Sequence, residues 1–147
     1  MKLRTLTLIL LGIALFGAIS CDSTSEEKNQ YDALYKEVIS AHDEVMPKMG
    51  ELSGLSKKLK QQIDSTQTST VIYEKSIEDL ENSYDFMMEW MRDFSEEFVK
   101  DQTPFEELSP EERKAKIEAL EEEVISVNKL RDQINSSIER AKELIEQ

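Results

Sequence analysis

Residues 73–98 read YEKSIEDLENSYDFMMEWMRDFSEEF. Along this stretch, apolar or aromatic side chains recur at alternating steps of four and three residues, at Tyr73, Ile77, Leu80, Tyr84, Met87, Met91, Phe94 and Phe98. Such a repeat places one apolar stripe along a helix, and stripes of this kind pack side by side in left-handed bundles. The stretch therefore predicts a long helix that needs partner helices to cover its apolar face.

Two further stripes with the same spacing flank this one, over residues 31–63 and 117–145. The composition agrees, because the chain has only 4 Gly and 3 Pro in 147 residues. We predict an all-α fold in which helices over 26–63, 70–101 and 110–146 form an elongated, antiparallel three-helix bundle. Short connections make consecutive helices antiparallel neighbours.

Prolines and their neighbours mark where the predicted helices end, begin or break. Pro104 ends the second helix, because the residue before a proline is pushed out of the helical region. Ser109, with Pro110 next and Glu112 at the third helical position, predicts a capping box at the start of the third helix. Pro47 lies inside the first helix and removes a backbone hydrogen-bond donor, so that helix should kink or split there.

The N-terminal residues predict a lipoprotein signal peptide. Lys2 and Arg4 give a positively charged start, and residues 6–16 form an uncharged apolar run. That run has the length of a signal-peptide core and is too short to span a membrane. Residues 17–21, Gly-Ala-Ile-Ser-Cys, resemble the lipobox that lipoprotein-processing enzymes recognise.

This interpretation divides the chain into three parts. Residues 1–20 would be the cleaved signal peptide, residues 21–25 a lipidated cysteine with a short tether, and residues 26–147 a single helical-bundle domain. Cys21 is the only cysteine, so an internal disulfide is impossible and acylation, for example by palmitate, is the expected use of the thiol. An ordinary secretion signal and an uncleaved membrane anchor are the alternatives.

The mature chain would be strongly acidic. Without Lys2 and Arg4, 16 basic residues stand against 31 acidic ones, which gives a formal net charge of −15. This argues against binding nucleic acid and against lying flat on an anionic membrane. The three glutamates at 121–123 are interpreted as a solvated face. With one histidine, no glycine-rich phosphate loop and no nucleophile elbow in the sequence, we expect no enzymatic activity.

The candidate site is a group of methionines that accompanies the only histidine and the only tryptophan. These residues fall in two windows, 42–49 and 87–91. If the first helical hairpin turns near residues 66–67, facing residues have numbers that sum to about 132–134, so the two windows lie at the same height. The set consists of His42, Met46, Met49, Met87 and Met91, with Met88 and Trp90 adjacent.

Thioether and imidazole groups suit Cu(I) or Ag(I) better than Zn²⁺, Mg²⁺ or Ca²⁺. The ligand set resembles that of periplasmic copper and silver chaperones, which use His, two Met and a Trp, and the tryptophan could cover the ion by a cation–π contact. Three alternatives stand beside this hypothesis: plain packing next to the proline break, a Met-rich surface that binds a partner, and non-covalent haem between one His and one Met. We expect the cluster in the half of the rod nearer the anchor.

The layout of signal, lipobox, acidic spacer and helical heptads resembles small lipoproteins of Bacteroidota-type bacteria. Residues 31–98 are similar to those sometimes labelled viral A-type inclusion protein, a likeness that implies coiled-coil helices and no activity. Ser25-Glu26-Glu27 is similar to the acidic signals that send some such lipoproteins to the outer surface, whereas Asp22 would mean inner-membrane retention under enterobacterial rules.

Together these observations predict a non-catalytic, lipid-anchored cell-envelope protein with a binding or scaffold role and no resident cofactor. Its expected partners are the membrane, through the lipid on Cys21, and an envelope protein. The outer membrane is favoured over the inner one, with the body on the periplasmic face or at the cell surface. The alternative function is an envelope protein that binds Cu(I) or Ag(I) through the Met/His cluster.

Overall fold

A computed structural model of the chain describes residues 20–65 and 70–146. These residues form helices α1 (Ser20–Val45), α2 (Met49–Ser65), α3 (Val71–Phe94) and α4 (Pro110–Ile145), with no strand in the described ranges. The predicted all-α fold with three long helical segments that pack against each other is confirmed. The predicted signal peptide, apart from Ser20, lies outside the described residues.

The first predicted helix is split in two at Pro47. A 3₁₀ turn, Met46–Lys48, separates α1 from α2 and has the proline in its first turn. The backbone N–H of Met49 donates to the carbonyl of Met46 as α2 begins. Because proline lacks an N–H and its ring clashes with the preceding turn, the chain continues only by tightening locally.

Two predicted helix boundaries differ from the observed ones. The first helix begins at Ser20 rather than at residue 26, so residues 21–25, expected as a tether, are helical. Serine, threonine and aspartate cost only about 0.5 kcal/mol each in a helix, which a helix already stabilised by packing can tolerate. The second predicted helix was to reach residue 101, but α3 ends at Phe94 and a π-helical turn, Ser95–Val99, follows.

The start of α4 has the predicted capping box. Ser109 accepts a hydrogen bond on its Oγ from the backbone N–H of Glu112, at 3.3 Å, and Glu112 Oε2 accepts one from the N–H of Ser109, at 2.8 Å. Thr70, by contrast, precedes α3 without a side-chain cap bond. A 3₁₀ turn, Phe105–Glu107, which the sequence pattern did not predict, precedes α4 and buries its phenylalanine.

Different side chains pack the two halves of the bundle. Near the beginning of α1, aromatic rings fill the interior: Tyr31 lies 4.8 Å from Phe105 and Tyr35 lies 5.6 Å from Phe94, measured between ring centroids. Toward the other end, two hydroxyl groups are in contact: the Oγ atoms of Ser83 and Ser137 are buried and 3.0 Å apart. The rings connect α1 to α3 and to the Phe105–Glu107 turn, whereas the small serines lie where α3 and α4 meet.

Side-chain pairs fix the relative direction of α3 and α4. Asp79 pairs with Arg140, Ser83 with Ser137 and Trp90 with Glu123. Residue numbers rise along α3 as they fall along α4, so the two helices run in opposite directions. The buried apolar residues run from Val38 to Ala141, so residues 22–147 contain every core residue of the described ranges.

The buried face of α3 is wider than the predicted stripe and extends to one side of it. Tyr84 is exposed and Met91 only half-buried, although both belong to the four-three series. Ser76, Ser83 and Trp90, which follow one another at intervals of seven, are buried instead. Because α3 packs against both α2 and α4, its covered face is wider than a single stripe and extends toward α4. Among the described helices, none is long and apolar enough to cross a membrane.

Candidate functional site

His42 and Trp90 are the two members of the predicted cluster for which the structure shows direct contact. Their ring centroids are 5.7 Å apart and the ring planes are inclined by 32°. Their residue numbers sum to 132, within the predicted range, whereas those of the hydrogen-bonded pair Ser56 and Glu81 sum to 137, so the register is not constant along the hairpin. His42 Nδ1 lies 3.0 Å from Oδ1 of Asp43, and the imidazole keeps about a fifth of its surface, 21%, open to solvent.

Trp90 is held in place from three directions. One ring neighbour is His42, and the other is Phe94, whose centroid is 5.0 Å away with the planes within 22°. The indole Nε1 donates a hydrogen bond of 2.6 Å to Oε2 of Glu123 on α4. The candidate site therefore includes side chains from α1, α3 and α4 rather than from one hairpin alone.

Glu123 is an acidic group in an unfavourable setting. Burial raises the pKa of its carboxyl above the ordinary value, and the Trp90 hydrogen bond offsets this only in part. The neighbouring charges of Glu97, Asp93 and Glu122 act in the same direction as burial. All three glutamates were predicted to lie on a solvated face; Glu121 and Glu122 are exposed, but Glu123 turns inward to the indole.

The methionines of the cluster are distributed over different depths. Met49 and Met87 belong to the core, and Met87 is completely buried. Met46 and Met91 are half-buried and pack against that core. Met88 is 47% exposed and lies outside it. The exposed fraction of the five methionine side chains therefore ranges from zero at Met87 to about half at Met88.

Oxygen and nitrogen ligands offer no separate metal site in the described part of the chain. No three His, Cys, Asp or Glu side chains are grouped there as metal ligands. The metal hypothesis therefore depends on thioether sulfur together with the His42 imidazole, as the sequence suggested.

Arg113 is a second residue that the sequence analysis missed. It is buried at the beginning of α4, where its Nε donates to Oε2 of Glu27 at 2.6 Å and its guanidinium also donates to the carbonyl of Leu108 at 2.7 Å. A signal was present, because Arg113 is one step of four before Ile117 and continues the α4 stripe. This pair ties the start of α1 to the start of α4.

Comparison of the chain with protein-family models, with curated proteins and with solved structures finds no match.

Proposed function

We propose that this chain is a non-catalytic, lipid-anchored cell-envelope protein whose elongated, antiparallel helical bundle serves as a binding or scaffold body. The observation that carries the proposal is the place of Cys21. It ends a lipobox-like sequence and lies in the first turn of α1. Lipid on this residue would attach directly to the end of the helical body.

The acidic character of the body supports the same proposal. A mature chain with a formal charge of −15 is repelled by the anionic lipids to which the anchor would hold it. Several acyl chains hold a protein on a membrane without further contact, since each buried methylene contributes about 0.8 kcal/mol. The body is then free to meet an envelope protein partner, and we place it at the outer membrane rather than the inner one.

The anchor is tested by metabolic labelling with palmitate. Cys21→Ser should lose the label and move from the detergent phase to the aqueous phase, because the thiol that carries the lipid is gone. Ser20→Ala, which keeps a small residue before the cysteine, is the matched control and should stay labelled. A Cys21→Ser protein that still partitions into detergent like the parent would contradict the proposal.

A second candidate function, binding of Cu(I) or Ag(I), is favoured by the contact between His42 and Trp90. A carboxylate at Nδ1 of His42, such as Asp43, fixes the tautomer that presents Nε2 to a metal. Half-buried Met46 and Met91 are thioethers that could reach an ion without dismantling the core. Because Trp90 contacts His42, its fluorescence emission would report metal binding at the site.

The metal candidate is tested on residues 22–147 under reducing conditions. Cu(I) should quench Trp90 emission and remain bound against a competing chelator. His42→Ala should lower the affinity at least about tenfold, because even the loss of an outer-shell partner costs about 10–100-fold. Met88→Leu, at the exposed methionine, is the control and should bind like the parent. Absence of retained copper, or unchanged uptake by His42→Ala, would overturn the metal candidate and leave the anchor proposal intact.

A further inference from the structure

A groove between the beginning of α3 and the end of α4 lies at the end of the bundle opposite the start of α1. Its volume is about 450 Å³, which is within the range of small-molecule sites. Val71 and Ile72 line it with 67% and 62% of their surfaces exposed, and partly buried Leu144 faces them from α4. Three aliphatic side chains thus offer an open apolar surface.

A buried hydroxyl group in the same groove has no partner. Ser76 is only 5% exposed, and its Oγ makes no hydrogen bond within the described structure. Ser83, one heptad further along the same helix, donates to the carbonyl of Asp79 at 2.7 Å and contacts Ser137. A buried hydroxyl without a hydrogen-bond partner destabilises the fold, so Ser76 is a group that a ligand could satisfy.

The charges on the rim of the groove cancel. Lys75 and Arg140 both pair with Asp79, at 3.1 and 3.2 Å, and Glu143 completes a set of two cations and two anions. This local balance contrasts with the strongly acidic chain as a whole. The lining therefore has no net charge to attract either a cationic or an anionic head group.

We propose that this groove binds a small amphiphile, an aliphatic chain that carries an uncharged hydroxyl or amide head. The chain would lie on Val71, Ile72 and Leu144, and the head would exchange a hydrogen bond with the Ser76 hydroxyl, which can turn to donate or accept. The site is separate from the His42–Trp90 level and does not depend on metal binding there.

The proposal is tested by titrating ¹⁵N-labelled residues 22–147 with octyl glucoside below its micelle concentration, at 0.15 M salt. Saturable amide shifts should map to residues 71–79 and 140–144. Octanoate and octylammonium, which have the same chain length, should bind more weakly, because a charged head gains nothing from a balanced rim. Tighter binding of either ion, shifts spread over the whole surface, or a concentration-dependent dimer that covers Val71 without amphiphile would overturn the proposal.

Two variants and a control separate binding from folding. Ile72→Asp places a carboxylate in the first turn of α3, where the helix tolerates a negative charge. It should weaken the binding of octyl glucoside about tenfold, because apolar contact is lost. Ser76→Ala should raise the urea midpoint, because the ligand-free protein no longer buries an unpaired hydroxyl. It should also weaken the binding of octyl glucoside, because the head group loses its hydrogen-bond partner. Ile125→Asp, at an isolated exposed residue of α4, should bind like the parent; equal weakening there would contradict the proposal.

Discussion

Among single residues, Glu123 departs most from what its sequence neighbourhood suggests. It belongs to a run of three glutamates, yet it is half-buried and accepts the indole hydrogen bond of Trp90. Burial raises the pKa of its carboxyl above the ordinary 4.5, because the charged form loses hydration that one N–H replaces only in part. Heptad spacing places this residue beside the stripe, but no pattern in the sequence says which of the three glutamates meets an indole.

The raised pKa predicts how Glu123→Gln changes stability with pH. A folded-state pKa above the unfolded one means that ionisation of Glu123 opposes folding once the pH exceeds that range. Glutamine keeps an acceptor for Trp90 without the charge, so the variant should gain stability at pH 7. That gain should disappear as the pH falls through the raised folded-state pKa toward the ordinary value of about 4.5. Urea unfolding at both pH values measures this. Glu122→Gln removes the same charge at an exposed position and is the control; an equal gain there would assign the effect to net charge instead.

At the scale of helices, the sequence predicts where a helix begins or breaks when the covalent structure of one or two residues determines that point. Pro47 forces a break because it lacks an N–H, and Ser109 with Glu112 forms a cap because two side chains reach two free backbone groups. The width of the buried face of α3 was not predictable in this way. It depends on how closely α4 approaches, which Ser83 and Ser137 determine across the interface.

The capping box makes a prediction that belongs to α4 as an element. Ser109→Ala should lower the free energy of unfolding by about 1 kcal/mol, because the N–H of Glu112 loses its acceptor. Ser109→Asp, which restores an acceptor, should recover most of the loss. Ser126→Ala makes the same substitution at an exposed site inside α4 and should cost almost nothing. These values come from urea denaturation; equal midpoints for Ser109→Ala and Ser126→Ala would show that the cap contributes nothing.

For the whole molecule, the length of α1 determines how far the candidate site lies from Cys21. The sequence predicts a tether and a site near the anchor, but α1 is already helical at Ser20. The rise from Cys21 to His42 is about 32 Å at 1.5 Å per residue, and a similar number of residues separates His42 from Ser65. The site is therefore near the middle of the rod. The meeting of His42 with Trp90 was predictable from the spacing of the two stripes, whereas the start of a helix depends on small propensities that packing outweighs.

If lipid on Cys21 anchors the protein as proposed, a rod that stands upright should keep Trp90 away from the bilayer. In lipidated protein on anionic vesicles, nitroxide lipids in the bilayer core should leave Trp90 emission about unchanged, since the indole is level with His42 and the acidic body is repelled by the surface. A reporter made by Asn29→Trp with Trp90→Phe would stand about 12 Å from Cys21 by helical rise and should be quenched more strongly. Only protein that floats with the vesicles is measured, so failed lipidation appears as absence of bound protein. Equal quenching of Trp90 and the lower reporter would mean that the rod lies along the membrane.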